Sequence, residues 1–122
     1  MDANLDAEAT IVAVGFSQGG LMATQLVRSR PERVAATVVL GGFVLAAPQP
    51  GDDAIAASRP PVFWRRGADD RVIAEPAIAR TASWLPLHAT LDERVYPGLA
   101  HAIDATEAAD ARASVDAATR AI

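Results

Sequence analysis

Apolar positions in the chain follow two alternating patterns. Short unbroken apolar runs, rich in β-branched residues, are separated by stretches in which apolar residues recur at helical spacing. That alternation signals an α/β fold, because a parallel strand covered on both faces has no polar side to show. The first run, Thr10-Ile11-Val12-Ala13-Val14, reads as such a strand, with Gly15 ending it. From Gln18 to Ser29 the period changes: Met22 and Leu26, then Ala23 and Val27, lie four apart on one helical face. Arg28 and Arg30 suit the negative end of that helix, and Pro31 stops it. Ala36-Thr37-Val38-Val39-Leu40 is a second strand, closed by Gly41-Gly42. Phe43 to Pro60 carries Pro48, Pro50, Gly51, Asp52 and Asp53 and reads as a loop with a single helical turn near Ala54 to Ala57, too short for a cap domain.

A third strand, Pro61 to Arg65, ends before Gly67. Pro76 suits the first position of a helix running to about Leu85, where Pro86 terminates it. Glu93 to Tyr96 forms a fourth strand, followed by Pro97-Gly98. Asp104 and Glu107 read as a variant capping box before a last helix with Ala108, Ala111, Val115, Ala118 and Ile122 on one stripe. Right-handed crossovers would then give four parallel strands in sequential order, flanked by helices. Loops after the strand C-termini share one edge, where open α/β sheets bind ligands.

Composition narrows what such a sheet does. The 122 residues suffice for one domain with one core, and 51% hydrophobic content fits a packed chain. Aromatics are only 5%, and many apolar positions are alanine, so the helices should be thin and closely packed. A formal charge of −4 without a block of like charge gives no reason to expect a nucleic-acid partner. The absence of cysteine excludes disulfides, thiolate metal sites and a cysteine nucleophile. Two histidines without an HExxH spacing suggest no metal site, and no cofactor is expected. The start, Met1-Asp2-Ala3-Asn4-Leu5-Asp6, is acidic where a signal peptide is basic. No apolar run approaches the roughly 18 residues of a membrane span, so the default expectation is a cytoplasmic protein.

Chemistry concentrates just past the strand ends. Gly15-Phe16-Ser17-Gln18-Gly19 stands between a strand and a helix and matches the GxSxG nucleophile elbow of α/β-hydrolases. So tight a turn strains the serine backbone and calls for small neighbours on either side, here Gly15 and Gly19. Gly20 would let the helix approach the sheet. The turn aims the Ser17 hydroxyl outward, and the Gln18 N–H faces a developing oxyanion. A serine hydroxyl needs a base, and the base needs an orienting acid. His101 is the candidate base, since it follows the fourth strand and precedes the last helix. His88 lies toward the opposite edge and reads as a surface residue. The acid is Asp69 or Asp70, both in Gly67-Ala68-Asp69-Asp70-Arg71-Val72-Ile73, and local pattern alone does not separate them.

Gly15-Phe16-Ser17-Gln18-Gly19-Gly20 resembles the elbow of the phospholipase/carboxylesterase family, which includes acyl-protein thioesterases. Leu40-Gly41-Gly42-Phe43-Val44 is similar to that family's segment after the next strand. Gly67 to Ile73 resembles its G-x-x-D-x-x-V segment, and the resemblance selects Asp70 as acid. Tyr96-Pro97-Gly98-Leu99-Ala100-His101 is similar to its Tyr…Gly-x-x-His ending, which selects His101. Arg66 and Ala74 depart from a common His and Pro.

The resemblance implies a partial α/β-hydrolase fold without a cap, one incomplete domain over residues 1–122 corresponding to the C-terminal portion of family members. It implies a small-molecule ester or thioester substrate, hydrolysed through Ser17, His101 and Asp70. The rival expectation is a non-catalytic remnant serving as a binding or structural piece. Thr10 to Val14 would be an apolar sheet edge, open to a second copy or to a missing N-terminal segment.

Overall fold

The structure, a computed structural model, describes residues 11–120. Its order is β1 (Ile11–Phe16), α1 (Gln18–Ser29), a 3₁₀ turn (Pro31–Arg33), β2 (Val34–Leu40), α2 (Asp52–Ser58), β3 (Pro61–Gly67), α3 (Glu75–His88), β4 (Thr90–Tyr96) and α4 (Ala105–Arg120). The four strands are parallel and neighbour one another in sequence order, as the alternating pattern predicts.

Side chains alternate across this sheet. Ala13, Val39, Val62 and Trp64 face α1 and α3, packing with Ala23, Val27 and Leu85. Val12, Val38, Leu40 and Phe63 point the other way, against Ala111 and Val115 of α4. Three helices therefore share one face, whereas α4 is the helix packed on the other. Val14 remains 49% exposed on β1.

Several boundaries differ from the sequence expectation. β1 does not end at Gly15: its ladder to β2 continues through Gly15–Val39 and Phe16–Leu40. Thr10 and Ile122 lie outside the described residues. On α1 the buried face is Gly20, Ala23, Thr24, Val27 and Arg28, while Met22 is 64% exposed. Small residues, not Met22, meet the sheet, because α1 approaches the loop after β2 almost to backbone contact. A Cβ on Gly42 would fall 2.9 Å from the Gly20 Cα.

The stretch read as a loop with one helical turn contains α2, a seven-residue helix. Its cause is Arg28, which is buried rather than a surface charge at a helix end. Its guanidinium grips Asp52 at both oxygens (2.8 and 2.9 Å) and donates to the Leu45 and Ala47 carbonyls. It also lies 4.5 Å over the Trp84 ring. One side chain thus ties the loop before α2 to α1 and α3. The Arg28 hydrogen bonds hold the Asp52 carboxyl below its ordinary range, against the opposing effect of burial.

Pro86 does not terminate α3, and Pro76 is its second residue. Pro86 lacks an N–H, but the preceding turn that loses the hydrogen bond is exposed at Ala82. The final carbonyls are taken by Arg59, which donates to Pro86 and, at 3.2 Å, to Ala89. β4 starts at Thr90, earlier than the pattern suggests, because Asp92, Glu93 and Arg94 form an outer strand whose side chains reach water.

Candidate active site

Ser17 sits between β1 and α1 with φ 58° and ψ −117°, one of two non-glycine residues at positive φ among the described residues. Non-glycine residues pay for such a conformation, commonly about 1–3 kcal/mol, so the surroundings must impose it. The Ser17 N–H extends the sheet ladder to the Leu40 carbonyl (2.9 Å), and its own carbonyl starts α1 by accepting from Leu21 (3.1 Å). Gly15 makes the turn possible: a Cβ there would lie 2.0 Å from the Gly19 carbonyl oxygen. Gly19 does not carry the same demand. Nothing lies within 4 Å of its Cβ position, so the expectation of a small residue on both sides holds only for Gly15.

The loops after β3 and β4 cross at Gly67. A Cβ on Gly67 would fall 2.0 Å from the Leu99 oxygen, and Asp69 N–H donates to that oxygen at 2.9 Å. This crossing brings Asp70 and His101 together. His101 Nδ1 lies 2.7 Å from Asp70 Oδ2, and Nε2 lies 2.8 Å from Ser17 Oγ. Asp69 is exposed, and the imidazole's carboxylate partner is Asp70. His88 stacks on Trp84 at 3.8 Å and bonds its carbonyl, beyond the far ends of the strands. It is half-buried, not a free surface residue.

The environment of Asp70 sets the proton positions. Its side chain is only 2% exposed, and burial alone would raise its pKa. Hydrogen bonds from His101 and from the Ile73 and Val72 N–H groups (3.2 and 2.9 Å) outweigh that and leave it lowered. An ionised carboxylate only accepts hydrogen bonds. His101 therefore donates from Nδ1 to Asp70, and in the neutral form of the ring Nε2 is the acceptor for the Ser17 hydroxyl.

The match to the phospholipase/carboxylesterase family model extends over residues 1–119. The chain belongs to that family. Comparison with curated protein sequences returns no match. Among solved structures, this phospholipase/carboxylesterase-family chain resembles Arabidopsis thaliana SOBER1 (TM-score 0.72, 24% identity), with 88% of this chain and 52% of that one covered. It also resembles the Bacillus cereus carboxylesterase (0.71, 19%; 91% and 51% covered). A third is a dienelactone hydrolase-like promiscuous phosphotriesterase from metagenomic libraries (0.72, 20%; 98% and 55% covered). At these identities the likeness is one of fold, an α/β sheet of the hydrolase type. The chain spans about half the length of each of these structures.

Two contacts of the site escape a reading by motif. Phe16 lies against the His101 ring, centroids 4.9 Å apart. Gly41, at φ 58°, lies where Phe16, His101 and Asp70 meet: its Cβ position is 3.4, 3.6 and 3.7 Å from the three side chains. The glycine-aromatic segment after the second strand was the available signal for Gly41. A cavity of about 340 Å³ opens beside the acid loop, lined by Asp69, Asp70, Arg71 and Glu75 among others, and does not include Ser17 or His101. Among the described residues no helix is long and apolar enough to cross a membrane.

Proposed function

We propose that this chain carries the catalytic apparatus of a serine hydrolase for carboxylic esters or thioesters. Ser17 attacks the acyl carbon. His101 accepts the hydroxyl proton at Nε2 and returns it to the leaving group, while Asp70 holds the imidazole and offsets the charge it gains. A water then repeats the sequence to release the acid. The Gln18 N–H, at the start of α1, donates to the oxyanion. The carrying observation is the chain of hydrogen bonds from Asp70 through His101 to Ser17, 2.7 and 2.8 Å, at a strained elbow. A fluorophosphonate probe should label the wild-type chain and not Ser17→Ala. Equal labelling of the two would overturn the assignment.

A second reading is a non-catalytic piece of a hydrolase fold. Gly41 N–H is already engaged with the Arg65 carbonyl at 2.8 Å, so it is not free to be the second donor. In α/β-hydrolases a second N–H comes from a loop preceding the elbow. Loss of one such donor costs about 10²–10³ in turnover. Comparing hydrolysis of p-nitrophenyl acetate by this chain with that of a longer one carrying such a loop separates the readings. The proposed enzyme gains at least about a hundredfold; a piece without catalytic capacity gains nothing.

A further inference from the structure

Among the described residues, His101 is held by hydrogen bonds at two points, Nδ1 by Asp70 and Nε2 by Ser17. Both bonds lie in the imidazole plane, so neither presses on its face. The contact with the ring comes instead from Phe16, at 4.9 Å between centroids and an interplanar angle of 33°. Phe16 is the last residue of β1 and is anchored in register with Leu40. It remains 36% exposed, so it is not primarily a core residue. The edge of its ring also approaches the Gly41 Cβ position at 3.4 Å, beside Asp70 and His101 Nδ1.

We infer that Phe16 is a positioning residue for His101. Its ring restrains the imidazole from tipping out of line and covers one side of the Asp70–His101 hydrogen bond against water. The restraint matters most once Ser17 is acylated. Its hydroxyl proton is then gone, the Ser17–His101 bond is lost, and only Asp70 holds the imidazole at a hydrogen bond. Phe16 keeps Nε2 where it can activate the water that releases the acyl group. This role rests on the catalytic reading of Ser17 and His101, but its geometric content is measurable without turnover.

The chain has two histidines, which makes the test direct. Histidine-labelled protein should show a slowly exchanging Nδ1–H for His101, assigned by its loss in Asp70→Asn. The His88 resonances, from a ring stacked on Trp84, report the fold elsewhere. Phe16→Leu keeps an apolar side chain but removes the flat face. It should speed exchange of the His101 proton and slow fluorophosphonate labelling, each by about tenfold or more, with His88 unchanged. Phe16→Tyr should restore both. Where p-nitrophenyl acetate turnover is measurable, Phe16→Leu should lower kcat more than it raises KM. Wild-type exchange and labelling in Phe16→Leu would overturn the proposal. If His88 moves as well, Phe16→Trp becomes decisive: its larger flat face must retain the His101 signal, and loss of that signal with His88 intact overturns the proposal. Failure of the wild type to label, with the Nδ1–H present and dependent on Phe16, would reject the nucleophile reading and keep the positioning one.

Discussion

Glu107 is a carboxyl buried to 1% exposure on α4, and neither of its oxygens has a hydrogen-bond partner. Half of the expected capping box is present: Asp104 accepts from Glu107 N–H at 2.8 Å, but the Glu107 side chain does not reach back. Burial raises its pKa, with Asp104, Asp110 and Asp70 adding to the rise and Arg65 opposing it. A carboxyl with a raised folded pKa costs nothing while protonated in both states. Its penalty appears as pH rises through the unfolded value, about 4.3, and is complete above the folded one. Glu107→Gln should therefore stabilise the chain at pH 7 by on the order of 1 kcal/mol and leave it unchanged near pH 4. Denaturant unfolding at the two pH values checks this; an equal effect at both would show that ionisation plays no part. Asp70 has the opposite sign: its lowered pKa adds stability above the usual carboxylate range, lost in acid. Residue types alone do not separate these two carboxyls. The difference lies in the hydrogen bonds folding provides to one and denies the other.

Glycines of the strand-to-helix turn show how far motif reading extends at the scale of elements. The sequence places Gly15 and Gly19 symmetrically about Ser17, but the backbone path is not symmetric. At Gly15 an added methyl meets the Gly19 carbonyl, whereas at Gly19 it meets open space. Gly15→Ala should abolish fluorophosphonate labelling, and Gly19→Ala should label at close to the wild-type rate. Labelling rates and circular dichroism of both variants test the asymmetry, which comparable losses in the two would refute. The strands and the helix after the elbow were legible because their patterns are local. Of α2 only a single turn near Ala54 to Ala57 was legible, and the end of α3 was not, because they depend on Arg28 and Arg59 reaching distant carbonyls and, for Arg28, Asp52.

For the molecule as a whole, the two sheet edges contrast. β4 carries Asp92, Glu93 and Arg94, charges that discourage pairing with another strand. β1 carries none: it is Ile-Val-Ala-Val-Gly-Phe, with Val14 and Phe16 exposed toward the face bearing α4. We propose that this edge pairs with a second copy of the chain. At micromolar concentration the 122-residue chain should self-associate, and Val14→Lys should shift it toward monomer. Light scattering decides the point, and a stable wild-type monomer would count against it.

What the sequence determined by itself was whatever neighbouring residues settle among themselves. The alternation of buried runs with helical spacing required a parallel sheet, and the strand–GxSxG–helix succession required a tight elbow at Ser17. Motif resemblance extended this to Asp70 and His101. The tertiary structure alone decided what meets across long separations. Ser17 and His101 are 84 residues apart and come within 2.8 Å because Gly67 lets two loops cross. Phe16 reaches His101 only because its strand runs on past Gly15. Arg28 became an internal brace because a loop folded over it and offered its carbonyls. The physical reason is the same in each case. Local pattern reports which face a residue presents, but contact across that face depends on the partner's path through space.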